Sequence, residues 1–195
     1  RSLGFSATSK GTLNHVEVRY AGSPTSMPGY SAVAGSLIIA GGEAEELAEL
    51  ADALGGAFIA WTDCRSSWSD VFAQRVNSLG TSQWTNDGLA ICTSSAEQEL
   101  TGMDGDGSGG VFLTWQDRLS RGMGGWNQPL GNYDIYAQRV NQSGVAEWGD
   151  NGLAIYGGAD HQVLPNVVAD GSGGDIIAWL SYRTDDYDIF AQRVD

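Results

Sequence analysis

Apolar residues in this chain fall into short runs, not long ones. Residues 57–61, 71–76, 89–92, 111–113, 163–169 and 176–178 are rich in Val, Ile, Leu and aromatic side chains. Gly, Asn, Asp or Ser bound each run, a pattern that predicts β-strands closed by turns. Val111-Phe112-Leu113 and Ile176-Ile177-Ala178 set apolar side chains on both faces of their strands, as a sheet covered on both sides requires. One stretch departs from the pattern. Residues 43–54 are dominated by Ala, Glu and Leu, and the spacing of Leu47, Leu50 and Leu54 predicts a short acidic helix.

The strand pattern repeats. Asp-(hydrophobic)-Phe/Tyr-Ala-Gln-Arg-Val begins at Asp70, Asp134 and Asp188. A Gly-Gly pair followed by hydrophobic residues and Trp precedes each copy, ending at Trp61, Trp115 and Trp179. A third element, Trp84 to Ile91 and again Trp148 to Ile155, carries Gly-Leu-Ala-Ile after two of the copies. Trp61 and Trp115 are 54 residues apart, as are Asp134 and Asp188, whereas Trp115 and Trp179 are 64 apart. The unit is therefore 54 residues, and the second copy carries ten extra residues between Trp115 and Asp134.

Four short strands in a unit of about 50 residues suit a blade of a β-propeller. The units also resemble the repeats of predicted bacterial secreted and cell-surface β-propeller proteins, which run Gly-Gly, hydrophobics, Trp-x-Asp-x-Arg, Asp-Ile-Tyr-Ala-Gln-Arg and Gly-x-x-x-Trp. The resemblance covers residues 52–195, with Ser181 in place of Asp63 and Asp117, and Leu119 in place of Arg65 and Arg183. It implies an extracellular or cell-surface location and carries no catalytic residue with it. Residues 13–22 and 36–42 instead resemble rungs of a right-handed parallel β-helix. The expectation is an all-β chain with β-helix-like strands in 1–42, a helical linker in 43–54 and about 2.5 four-stranded propeller blades in 55–195, divided into 55–108, 109–172 and a truncated 173–195. Beginning at Arg1 and ending within a unit, the chain reads as a piece of a longer protein, the rest of which would be needed to close the propeller.

Charge narrows the choice of partners. With 10 Lys and Arg against 24 Asp and Glu, the net charge is -14. Such a field repels nucleic acid and anionic lipid. No apolar run approaches the roughly 20 residues of a spanning helix, so neither nucleic-acid binding nor membrane insertion is expected. Cys64 and Cys92 would form either one disulfide or two inert thiols.

A feature present in every unit serves the unit, and a ligand site needs only one copy. By that argument Trp61, Trp84, Trp115, Trp148 and Trp179 are packing residues. Gln74-Arg75, Gln138-Arg139 and Gln192-Arg193 tie strands together, with Asp70, Asp134 and Asp188 the expected ion-pair partners. Asp104 and Asp106 open a Gly-rich stretch resembling the start of a Ca2+ loop, which makes them the candidate metal ligands. The carboxylate count falls short of the 6 to 8 oxygens that Ca2+ takes, however, which favours a plain turn formed by Asp106 and Asp170. The strongest single-copy feature is the insertion, where Arg118, Arg121, Trp126, Gln128 and Tyr133 combine guanidinium, aromatic and amide groups on a loop. These five are the candidate ligand-binding residues, for a glycan or a protein.

His15 and His161, the only histidines, stand without a recognisable nucleophile. Acid pairs such as Asp63 with Asp70, or Asp185-Asp186, leave open a glycosidase reading that depends on their separation. The expected function is thus a non-catalytic extracellular module for ligand binding or adhesion. The alternatives are a fragment of a secreted glycan-active hydrolase and a purely structural spacer.

Overall fold

A computed structural model describes residues 4–5, 16–19, 38–40, 44–52, 55–66, 68–118, 132–158, 160–183 and 186–195. They form fourteen strands in four separate sheets. In the first sheet β1 (Gly4–Phe5) pairs antiparallel with β2 (Val16–Arg19), which pairs in parallel with β3 (Ile38–Ala40). The second is an antiparallel meander of β4 (Ala44–Ala51), β5 (Ala57–Asp63), β6 (Asp70–Val76) and β7 (Leu89–Cys92). The third repeats it with β8 (Glu97–Gly105), β9 (Val111–Arg118), β10 (Tyr133–Val140) and β11 (Leu153–Tyr156). The fourth has three strands, β12 (His161–Ala169), β13 (Asp175–Arg183) and β14 (Asp186–Val194).

The described residues are all-β, but two expectations about the fold are overturned. Among the described residues the sheets are separate and open, with no closed ring, so the partial propeller read from the repeat is not what is found. A repeat fixes the strands inside each sheet without fixing how the sheets are arranged. Nor is there a helix in 43–54: among the described residues, 44–51 form β4, paired with β5 from Ala44↔Asp63 to Ala51↔Ala57. The helix propensity of Ala, Glu and Leu amounts to tenths of a kcal/mol per residue, and the row of backbone groups offered by β5 outweighs it. Of the two stretches that resemble β-helix rungs, the described residues form β2 and β3, which pair in parallel from Glu17↔Ile38 to Arg19↔Ala40, with β1 antiparallel to β2. Among the described residues no helix is long and apolar enough to cross a membrane.

Two cores hold consecutive sheets together. Phe58, Ala60, Val71 and Ala73 of the second sheet pack with Leu100, Leu113 and Trp115 of the third. The opposite side of the third sheet gives Phe112, Ile135 and Ala137 to a core shared with Val167, Ile177 and Trp179 of the fourth. This arrangement explains the two apolar faces of Val111-Phe112-Leu113, since the third sheet is covered on both, whereas in the fourth sheet Ile177 is buried and Ile176 is 41% exposed. Trp115 is 0% exposed, and Trp61, Trp84 and Trp179 are also buried, as packing residues should be. Trp148 lies half-buried with its ring 5.6 Å from that of Phe112.

Bulges link the sheets at one repeated place. The first strand of the third sheet slips register between Leu100 and Gly102, and that of the fourth between Val163 and Asn166. Each slip releases a backbone N–H from its own ladder. The Leu100 N–H donates to Thr62 Oγ1 at 3.1 Å, and the Leu164 N–H to Gln116 Oε1 at 2.9 Å. Thr62 and Gln116 stand at the same position of consecutive units, so each sheet is tied to the one before it by an equivalent bond.

Candidate ligand-binding surface

The two ends of the third sheet carry different chemistry. At one end β8 turns into β9 through Asp106 to Gly110. The Asp106 Oδ1 accepts from the N–H groups of Ser108 and Gly110, both at 2.7 Å, and Asp170 makes the same contacts with Ser172 and Gly174 in the fourth sheet. These aspartates are turn formers. They are also the partners of the repeated arginines: Arg75 pairs with Asp52 at 2.7 Å, Arg139 with Asp106 at 3.2 Å and Arg193 with Asp170 at 2.7 Å. The expected partners, Asp70, Asp134 and Asp188, sit at the far end of the same strands. The sequence signal for the true partner was present, since Asp52, Asp106 and Asp170 each stand four residues before the second Gly of a Gly-Gly pair.

The glutamine beside each arginine has a separate task. Gln74 Oε1 accepts from the Trp84 N–H at 2.9 Å while its Nε2 donates to the Thr85 carbonyl at 2.8 Å. Gln138 does the same with Trp148 and Gly149, at 2.9 and 2.7 Å. One buried amide thus fastens the Trp-bearing segment to the strand before it.

The candidate metal ligands at this end are already occupied. Asp104 Oδ2 accepts from the Ala169 N–H at 2.8 Å, and the oxygens of Asp106 serve the turn and Arg139. Among the described residues no group of three or more His, Cys, Asp or Glu is placed to hold a metal ion. Asp175 is 0% exposed beside these acids, with neither carboxylate oxygen hydrogen-bonded. Burial, with Asp104 adding to it, pushes its pKa up to about 7 against the opposing pull of Arg139. Sequence reasoning passed over Asp175, although an acid where the other units have Ala57 and Val111 is itself a single-copy feature.

The other end of the sheet is where the chain leaves for the insertion and returns. Glu97, Arg118 and Tyr133 are successive cross-strand partners on β8, β9 and β10. Arg118 Nη1 lies 3.0 Å from Glu97 Oε2, with both side chains well exposed. Tyr133 meets His161 of the fourth sheet edge to face, with ring centroids 5.2 Å apart. Burial raises the Tyr133 pKa, with Glu99 and Glu97 adding to the effect and Arg118 opposing it, so the hydroxyl keeps its proton as a donor. Burial lowers the pKa of His161, leaving a neutral ring. The surface therefore offers a guanidinium, a phenol and an uncharged imidazole side by side. Of the five candidate ligand residues, Arg118 and Tyr133 stand here together, and His161 joins them unforeseen. Arg121, Trp126 and Gln128 lie outside the described residues.

Acid pairs lie deeper at the same end. Asp63 faces Asp70, and Asp117 faces Asp134, across neighbouring strands, and all four are buried. Burial would raise the pKa of Asp63, but hydrogen bonds from Arg65 and from Trp61 Nε1 at 2.9 Å outweigh it and hold this carboxylate low. Burial raises Asp70, with the Asp63 charge adding to the effect. The two buried carboxyls of this pair are thus shifted in opposite directions, Asp63 down and Asp70 up. Asp185 lies outside the described residues. Cys64 and Cys92 form no disulfide, and burial pushes the Cys92 thiol up to about 11, far from a reactive thiolate. Comparison with known proteins finds no matching family model and no matching curated protein.

Proposed function

We propose that this chain is a non-catalytic binding module of an extracellular or cell-surface protein, taking a glycan at the stem of the insertion. The observation that carries the reading is the row Glu97, Arg118 and Tyr133 with His161 against it, placed where the single-copy loop leaves the rigid sheet. Rings offer a flat apolar face to the C–H side of a sugar, while guanidinium and phenol donate to its hydroxyls. Arg121, Trp126 and Gln128 add to this reading through sequence alone.

A glycan array probed with the wild type, Tyr133→Ala and Trp126→Ala tests the proposal. Expected is binding to a restricted set of glycans that drops at least tenfold in both variants while Tm changes by less than about 3 °C. Binding unaffected by either change, or no glycan bound at all, sinks the proposal and returns the loop to a protein-adhesion or spacer role.

A further inference from the structure

In the third sheet the amide nitrogen of Gln98 is well supplied with acceptors. It donates to Ser94 Oγ at 2.8 Å, to the Ala96 carbonyl at 2.7 Å and to Asp117 Oδ2 at 3.3 Å. Gln162 and Ser181 form the equivalent cross-strand pair of the fourth sheet, where Ser181 replaces Asp117 and Gly158 replaces Ser94. Both are 0% exposed, and neither the Gln162 amide nor the Ser181 hydroxyl has a hydrogen-bond partner. Trp179 Nε1 is also buried and unpartnered, whereas Trp61 Nε1 donates at 2.9 Å to Asp63, the residue at the place of Ser181. An unpartnered indole alone signifies little, since Trp115 Nε1 has no partner either. Here, however, all three groups share one face of the sheet: Trp179 and Ser181 are two residues apart on β13, and Gln162 stands opposite Ser181. That face is turned to the third sheet, where Trp179 packs with Phe112 and Ile135.

We infer that Gln162, Trp179 and Ser181 form a binding site for a small carboxylate ion the size of formate, held where Asp63 and Asp117 place a carboxylate of their own. Indole, amide and hydroxyl together bring more N–H and O–H hydrogens than accepting oxygens, and a carboxylate, which only accepts, corrects that imbalance. Water would bring further donors into a site already short of acceptors. Size restricts the guest to the smallest carboxylates. The place of the Ser94 side chain is taken by Tyr156, since a Cβ added to Gly158 would stand 2.6 Å from its Cε1, which leaves only the room of the replaced Asp. Charge at this end follows the pattern of the second sheet. Arg183 lies over Phe190 at 4.7 Å as Arg65 lies over Phe72 at 4.3 Å, and Arg65 donates to Asp63. Arg183 also pairs with Asp160 at 3.0 Å. Asp188, opposite Ser181, opposes an anion as Asp70 opposes Asp63, yet the Asp63 carboxylate is held low by donors of the same kind.

The test titrates the intact 15N-labelled chain with sodium formate, using sodium chloride at equal ionic strength as the reference. The indole N–H signal of Trp179 and the side-chain amide signals of Gln162 are expected to shift saturably, with a Kd on the order of 1–10 mM for a ligand of so few atoms. Those of Trp61 and Gln98 should stay in place. Ser181→Asp supplies the carboxylate from within, so it should abolish the response and leave the Trp179 signal near its formate-saturated position. Gln162→Leu should weaken binding about tenfold and serves if Asp at 181 prevents folding. Signals that do not move or do not saturate, equal shifts with chloride, or a full formate response in either folded variant overturns the proposal.

Discussion

A side chain in this protein is best understood against its counterparts in the other units. Trp115 is the most enclosed of the repeated indoles, 0% exposed in the core between the second and third sheets, and Trp115→Ala should cost about 3–5 kcal/mol in a denaturant titration. A loss below about 1 kcal/mol would show that the ring is not held there. Asp175 makes the opposite case, since it replaces Ala57 and Val111 and finds no hydrogen bond. Its pKa is raised in the folded chain, so between about 4 and about 7 the folded form keeps a proton that the unfolded form has lost. Stability must then fall as pH rises through that window and level off above it. Asp175→Val should remove the slope and add about 1–3 kcal/mol at pH 8. Equal pH profiles for the two proteins would refute the assignment.

Among the elements, the glycine turns before β7 and β11 carry the sharpest constraint. Gly152 combines a φ of 80° with a close approach to Trp115, so Gly152→Ala should cost at least about 2 kcal/mol and loosen the Trp148 segment. Near-ultraviolet circular dichroism and the unfolding midpoint report both effects. How far such elements were legible depends on their range. Strands such as 89–92 could be read in place because alternation and turn residues act over a few positions, and the end of the sheet that bears Arg118 and Tyr133 followed from the insertion itself. The strand at 44–51 could not be read, because pairing with β5, from Ala51↔Ala57 out to Ala44↔Asp63, overrode the preference of its own residues. His161 stayed hidden for a related reason, as it reaches Tyr133 only through the packing of one sheet on another.

For the molecule as a whole, stability should be graded along the chain. The third sheet is covered on both faces and the fourth on one, so native-state hydrogen exchange should be slowest in β9 and β10 and at least tenfold faster in β14. Uniform protection would contradict serial packing of the sheets. A net charge of -14 adds self-repulsion, and raising salt from about 10 to 300 mM should increase Tm by screening it. The bulge amides that reach back to Thr62 and Gln116 have a wider consequence. Each acts as an index pin, admitting only one offset between a sheet and its predecessor. A single residue added or deleted within β8 or β12 would present the wrong amide, whereas lengthening a hairpin tip would leave the pin undisturbed. Chains of this kind are thus free to vary in length at their tips, but along the stacking direction they can grow or shrink only by whole units.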